Sequence, residues 1–244
     1  MHHKFSETDA DPHNSKRGFF FAHVGWLLCR KPPDVKLKGK QIDLSDLLAD
    51  PVVRFQRQFY IPLVILCWGV FPVIVPYYFW DESLVVLLFG NIFRYVLTLH
   101  QTWLVNSAAH IYGTHPYNLK LKPTENFLVS YLTLGEGFHN YHHTFPWDYS
   151  ASEHGWNVNY NPATGIIDLL AYFNLASDLR KVSKDVVMKR VERTGDTSLL
   201  QPYEQLREHK SNVLRHYAIG VLYLLWPFGA LFLFHLGCFL SRKL

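Results

Sequence analysis

His139, His142 and His143 form an HxxHH set inside EGFHNYHHTFPWDY. On a helix, positions i, i+3 and i+4 share one face a turn apart. Three imidazoles so placed can bind one metal ion or bridge a pair. Asn106 and His110 stand four residues apart in WLVNSAAH, and His2 and His3 open the chain as an adjacent pair. Neutral imidazole suits Fe, Zn, Cu and Ni, so the ligand type alone leaves the metal open. HExxH and His/Cys sets, the usual zinc-hydrolase patterns, are absent from the sequence. The three cysteines, Cys29, Cys67 and Cys238, are widely spaced and odd in number, which argues against a disulfide framework.

The elements that must position these histidines are apolar. Of 244 residues, 49% are hydrophobic and 16% aromatic, whereas only 18% are charged, which excludes a disordered or collagen-like chain. Tyr60 to Trp80 is an uncharged run with aromatic ends, long enough to cross a hydrocarbon core of about 30 Å. Ser83 to Val105 is a second long stretch that carries Arg94, His100 and Gln101. An intramembrane Arg is costly and usually faces the protein interior. Asp81 and Glu82 join the two stretches. Ten Lys or Arg precede residue 60 and eleven lie between 106 and 216, with none in the short connection. The positive-inside rule then puts both polar regions on the cytosolic side of a helical hairpin. The histidine groups fall in these polar regions or at the membrane edge. Nitrogen-rich ligation there suits oxygen chemistry on a lipid.

Four regions follow: a first cytosolic part with interfacial helices (1–59), the hairpin (60–105), a second cytosolic part (106–198) and a tail (199–244). The tail contains a further apolar stretch, Tyr217 to Leu240, flanked by basic residues at both ends. It either spans or lies against the hairpin. The spacing predicts two short amphipathic helices over Gln41–Phe59, with Leu44, Leu47 and Leu48 on one face and Val52, Phe55 and Phe59 on another. Pro162 opens another helix whose stripe is Ile166, Ile167, Leu169, Leu170 and Phe173. Ser183 is expected to cap a last helix with Val186, Val187 and Val191 on one side and Gly195 at its end. No run alternates as a strand would. The fold class expected is all-α, an integral membrane hairpin carrying a cytosolic helical cap. The net charge of +4 is weak evidence for nucleic acid, and no nucleic-acid partner is expected. The first fifteen residues lack the apolar core of a cleavable signal peptide.

HHKFSETDADPHNSKRGFFFAHVGWLL, WLVNSAAH and GEGFHNYHHTFPWDYSASE closely resemble the membrane acyl-CoA desaturases of the stearoyl-CoA (delta-9) type. DLSDLLADPVVRFQR and KVSKDVVMKRVERTGD match as well, so the resemblance runs from His2 to about Asp196. It implies an endoplasmic-reticulum enzyme with a transmembrane stem and a cytosolic helical cap holding two iron ions. The implied reaction takes O2 and two electrons, relayed from NADH through cytochrome b5 and its reductase, and puts a double bond into a saturated acyl-CoA. By the same resemblance His2, His3, His110, His139, His142 and His143 are iron ligands, and Asn106 contacts iron through water. Arg30 and Lys31 fall where the family contacts coenzyme A, and their charge suits phosphate. Trp103 falls where a tryptophan lines the acyl tunnel. Tunnel length would set the bond position, because each methylene discriminates little in an apolar pocket.

The family pattern also has an earlier HxxxxH box, two further spans and a first histidine in the second box. The resemblance therefore implies a chain truncated at its N-terminus, unable to hold both irons alone. Two other readings stay open: a related membrane di-iron hydroxylase, and a catalytically silent membrane protein that keeps the lower part of the fold.

Overall fold

A computed structural model describes residues 1–199 and 213–221. Among the described residues there are helices and turns, with only isolated β-bridges joining Thr114 to Glu125 and Glu125 to Phe138. The expected all-α class holds. Most of the apolar stretch 217–240 lies outside the described residues.

The chain forms two compact units. One comprises Met1–Pro12 and Trp26–Thr102, the other His13–Gly25 and the chain from Trp103. The first unit holds α1 (His2–Phe5), α2 (Trp26–Leu28), α3 (Pro33–Gly39), α4 (Ser45–Ala49) and α5 (Pro51–Gln58). The two helices expected within Gln41–Phe59 are α4 and α5. Asp50 Oδ1 caps α5 by accepting from Val52 N at 2.7 Å and Val53 N at 3.2 Å, and Pro51 occupies the first helical turn. Leu44, Leu47, Leu48, Val52, Phe55 and Phe59 are exposed, whereas Val53 is half-buried.

The hairpin follows. Its first arm runs from α6 (Tyr60–Val64) through a π-helical segment (Ile65–Val70) into α7 (Phe71–Phe79). Together they give 20 helical residues, Tyr60–Phe79, and the second arm is a stretch of 28, Leu84–Ile111, interrupted at Ser107. Asp81 turns the chain with a φ of 51°, a conformation that Asp tolerates better than most residues. Two contacts hold the arms together inside this unit. Asn91 Nδ2 donates to Trp68 O at 2.8 Å, within the π-helical segment, and the Trp68 and Tyr95 rings sit 5.0 Å apart. Arg94 donates to Asn91 Oδ1 at 2.7 Å, so the charge in the span is tied to this polar link.

The second arm is α8 (Leu84–Asn106). It breaks at Ser107 and resumes as α9 (Ala108–Ile111). The second unit adds α10 (Phe127–Leu132), α11 (His139–Thr144), α12 (Pro162–Tyr172) and α13 (Lys184–Thr194). Its core contains Tyr117, Tyr141, Phe145, Val187 and Val191, with Ala108, Ala109 and Val129 in a second cluster. Val187 and Val191 face inward as expected, but Val186 is exposed, because only positions four apart stay on one inward line. Ser183 stands at the N-cap of α13 without a side-chain cap hydrogen bond, and Gly195 ends the helix as expected.

Candidate metal centre

α11 carries the HxxHH residues and is seated by what lies between them. Asn140 Oδ1 accepts from Tyr117 N and Asn118 N, both at 3.0 Å. Its Nδ2 donates to Asn118 O at 3.1 Å and Pro123 O at 2.9 Å. This one amide therefore closes the 117–123 loop with four hydrogen bonds. Tyr141 OH donates to Asp148 Oδ2 at 2.7 Å, while Tyr141 N donates to Glu125 Oε1 at 2.8 Å. Burial and the Asp148 carboxylate push the Tyr141 phenol well above its ordinary range, so it remains a donor. Burial likewise raises Glu125, to about 8, against the opposing pull of the Tyr141 and Asn140 backbone N–H groups. Gly137 precedes α11 where a Cβ would come within 2.1 Å of Asn126 O. The backbones of 126 and 137 can approach, with Asn126 N donating to Gly137 O at 2.8 Å, only because no side chain intervenes.

His110 arrives from α9. The break at Ser107 aims it. Ser107 Oγ donates back to Trp103 O at 2.9 Å and lies 2.9 Å from His23 Nδ1. Asn106 and His110, four residues apart in sequence, therefore lie on two helical segments separated at Ser107, whose hydroxyl competes for the backbone carbonyl of the previous turn. Asn106 is half-buried at the last position of α8.

His110, His139 and His143 converge. His110 Nε2 lies 3.0 Å and His143 Nε2 3.2 Å from His139 Nε2, and all three offer ligand atoms within 4.8 Å of one another. His110 and His139 are buried, and His143 is half-buried. Metal–nitrogen bonds of about 2.1 Å at a right angle would bring two ligand nitrogens to about 3.0 Å. The donor set thus fits a single cation with adjacent imidazole ligands. His142 stands beside this set, its ring centre 5.7 Å from that of His139 and 5.8 Å from that of His143. A cavity of about 470 Å³ opens beside His110, lined among others by Lys16, Phe19, Tyr112, His115 and Lys122.

The remaining predicted residues are placed as follows. Trp103 packs edge-on against His23, with ring centres 5.7 Å apart. In the first unit, His2 Nδ1 lies 2.9 Å from Asp11 Oδ1, and Asp11 Oδ2 also accepts from Glu7 N at 2.9 Å. A carboxylate on Nδ1 is the usual support of a histidine that ligates through Nε2. His3 is exposed, with its ring centre 5.5 Å from that of His2. Arg30 and Lys31 are exposed in the loop between α2 and α3. His23, Ser107 and Asn140 escape a reading of the sequence that looks for ligand types, because their work is done through partners distant along the chain, and Asp11 because a lone carboxylate nine residues from His2 carries no spacing signal.

Comparison with known proteins adds a family to this geometry. The fatty acid desaturase family matches residues 1–155. The chain is 58% identical over 198 residues to "Stearoyl-CoA desaturase" of Bos taurus, covering 81% of this chain and 55% of that protein. It is 57% identical over 198 residues to "Acyl-CoA desaturase" of Ovis aries, with the same coverage. It is 55% identical over 196 residues to "Stearoyl-CoA desaturase" of Homo sapiens, covering 80% of this chain and 54% of that one. The chain spans about half the length of the curated relatives it matches.

Proposed function

The chain belongs to the fatty acid desaturase family, and on that premise we propose that it is the metal-bearing part of an acyl-CoA desaturase of the delta-9 type. The observation that carries the reading is the convergence of three imidazoles from α9 and α11, with His110 in the last turn of a helical stretch, Leu84–Ile111, long enough to cross a membrane. In the proposed reaction a saturated acyl-CoA, O2, two electrons and two protons give an unsaturated acyl-CoA and two waters. The electrons come from NADH through cytochrome b5 and its reductase, and the protein resides in the endoplasmic-reticulum membrane with this site facing the cytosol.

His110, His139 and His143 would hold iron. His2, His3 and His142 would complete the ligand set of the two-iron centre, with Asn106 contacting it through water. Bound iron and O2 supply the oxidising power that an unactivated methylene pair demands and side chains lack. The chain's own residues do the rest. Asn140 and Ser107 fix the two segments that present the imidazoles, so their geometry is set before substrate arrives. Asp11 holds His2 by Nδ1. Arg30 and Lys31 are suited to the phosphates of coenzyme A, and Trp103 to the wall of an apolar channel that excludes water from the reacting carbons.

The test is expression of this chain, joined to the N-terminal part of a curated desaturase that it does not span, in cells that cannot make unsaturated fatty acids, with the purified protein assayed for iron. A new double bond together with stoichiometric iron supports the reading. An alcohol product points to a hydroxylase, and absent iron with absent product points to a silent membrane protein; either result overturns it.

A further inference from the structure

α12 is amphipathic in the opposite sense to a core helix. Its most buried positions, Asn161 and Thr164, are polar, while Ile167, expected in the stripe, and Ala171 are half-buried. Asn161, at its N-cap, donates through Nδ2 to Ser150 O at 2.8 Å, Thr164 Oγ1 donates to the same oxygen at 3.1 Å, and Asp168 accepts from Tyr149 OH at 2.7 Å and Trp156 Nε1 at 2.9 Å. These bonds fix the rotation of the helix about its axis. Its apolar stripe is thereby held outward: Ile166, Leu169, Leu170 and Phe173 follow the i, i+3, i+4, i+7 pattern and are 57, 56, 39 and 61% exposed.

The end of the helix extends the stripe. Asn174 adopts a φ of 57°, Asn174 N donates to Ala171 O at 2.9 Å and Leu175 N to Leu170 O at 2.8 Å. This is a Schellman closure, which returns Leu175 to the side of Leu170. Exposed Arg180, Lys181 and Lys184 come five to nine residues later, outnumbering the exposed Asp178 and Asp185 of the same segment. The 180–182 segment is pinned to the same unit, with Tyr149 N donating to Arg180 O at 3.0 Å and Val182 N to Asp148 Oδ2 at 2.9 Å. Tyr217, which begins the apolar stretch 217–240, donates its hydroxyl to Trp156 O at 2.8 Å, on the residue that holds Asp168.

We propose that α12 is a membrane-surface anchor, lying in the phospholipid interface with Ile166, Leu169, Leu170 and Phe173 among the acyl chains and Arg180, Lys181 and Lys184 on anionic headgroups. An apolar stripe of this size with a basic border is what an interfacial helix presents to lipid. A core-facing helix would turn the stripe in and Asp168 out.

The experiment uses the full 244-residue chain with Cys29, Cys67 and Cys238 replaced by serine, reconstituted in phosphatidylcholine vesicles with and without phosphatidylserine. Single cysteines at Ile166, Leu169, Phe173 and, as an aqueous control, exposed Glu192 carry an environment-sensitive fluorophore. The expected result is loss of emission with lipid-borne nitroxide at the three α12 positions and little with aqueous iodide, the reverse at 192, and a deepening with phosphatidylserine that R180Q/K181Q abolishes. Dominant iodide quenching on α12 overturns the proposal. So does protection from both quenchers, which would mean that protein covers the stripe, whether another part of this chain or a second copy. Insensitivity to phosphatidylserine overturns the role given to the basic residues. Three independent label positions keep the outcome readable if one variant folds poorly.

Discussion

His23 Nδ1 lies 2.9 Å from Ser107 Oγ, at the break between α8 and α9, across 84 residues of sequence. The single hydroxyl proton of Ser107 is committed to Trp103 O. The serine oxygen therefore accepts, and His23 carries its proton on Nδ1. One residue thus interrupts the membrane-length helix and, through that interruption, directs His110. Ser107→Ala removes a buried acceptor, at a cost of about 1–3 kcal/mol. It also lets α8 run on past 107, turning His110 away from His139. A lower unfolding midpoint should accompany a loss of bound metal, and S107A protein with full metal content would refute the aiming role.

His139 sits at the centre of the converging set, since both short nitrogen–nitrogen approaches end on its Nε2. A cation bound there stabilises the folded chain by mass action, about 2.7 kcal/mol when free metal is a hundred times Kd. His139→Ala should abolish both the metal content and the metal-dependent rise in unfolding temperature. His115→Ala, outside the cluster, should keep both. Elemental analysis and thermal unfolding with added Fe(II) decide this, and an unchanged metal response in H139A would remove the site from this cluster.

The hairpin and the HxxHH spacing were legible because each is a local pattern. Chain length against bilayer thickness identifies Tyr60–Phe79 and Leu84 onward, and helical periodicity identifies His139 and His143 as neighbours. Three things were not legible. Asn140 reads as a spacer between ligands, although it makes four bonds to a loop some twenty residues back. His23 reads as one histidine among many. In α12 the stripe from Ile166 to Phe173 was plain from its spacing, but periodicity defines a face without saying what opposes it. The outward aim follows from Asp168, whose partners Tyr149 and Trp156 come from a separate loop.

Asn140→Asp tests the loop closure with minimal change of shape. The carboxylate can still accept from Tyr117 N and Asn118 N, but it cannot donate to Asn118 O and Pro123 O. Two carbonyls then face a carboxylate in a buried site. A loss of about 3 kcal/mol is expected, with faster proteolysis within 117–123. Leaving the unfolding midpoint and the protease pattern unaltered, N140D would show that the loop is held by other contacts.

Glu125 gives the pH dependence. Its carboxylate is enclosed beside α11, and burial raises its pKa from the ordinary 4.5 to about 8. The folded chain therefore holds this proton more tightly than the unfolded chain does. The stabilisation is complete below pH 4.5 and disappears as pH rises through 8. Between these limits each pH unit weakens folding by up to about 1.4 kcal/mol. Thermal unfolding from pH 6 to pH 9 should show a falling midpoint, measured after chelation so that a bound cation does not add its own charge to the site. Glu125→Gln cannot ionise, so its midpoint should fall much less over the same range. Parallel curves for the two proteins would mean that Glu125 titrates outside this window and that another group sets the slope.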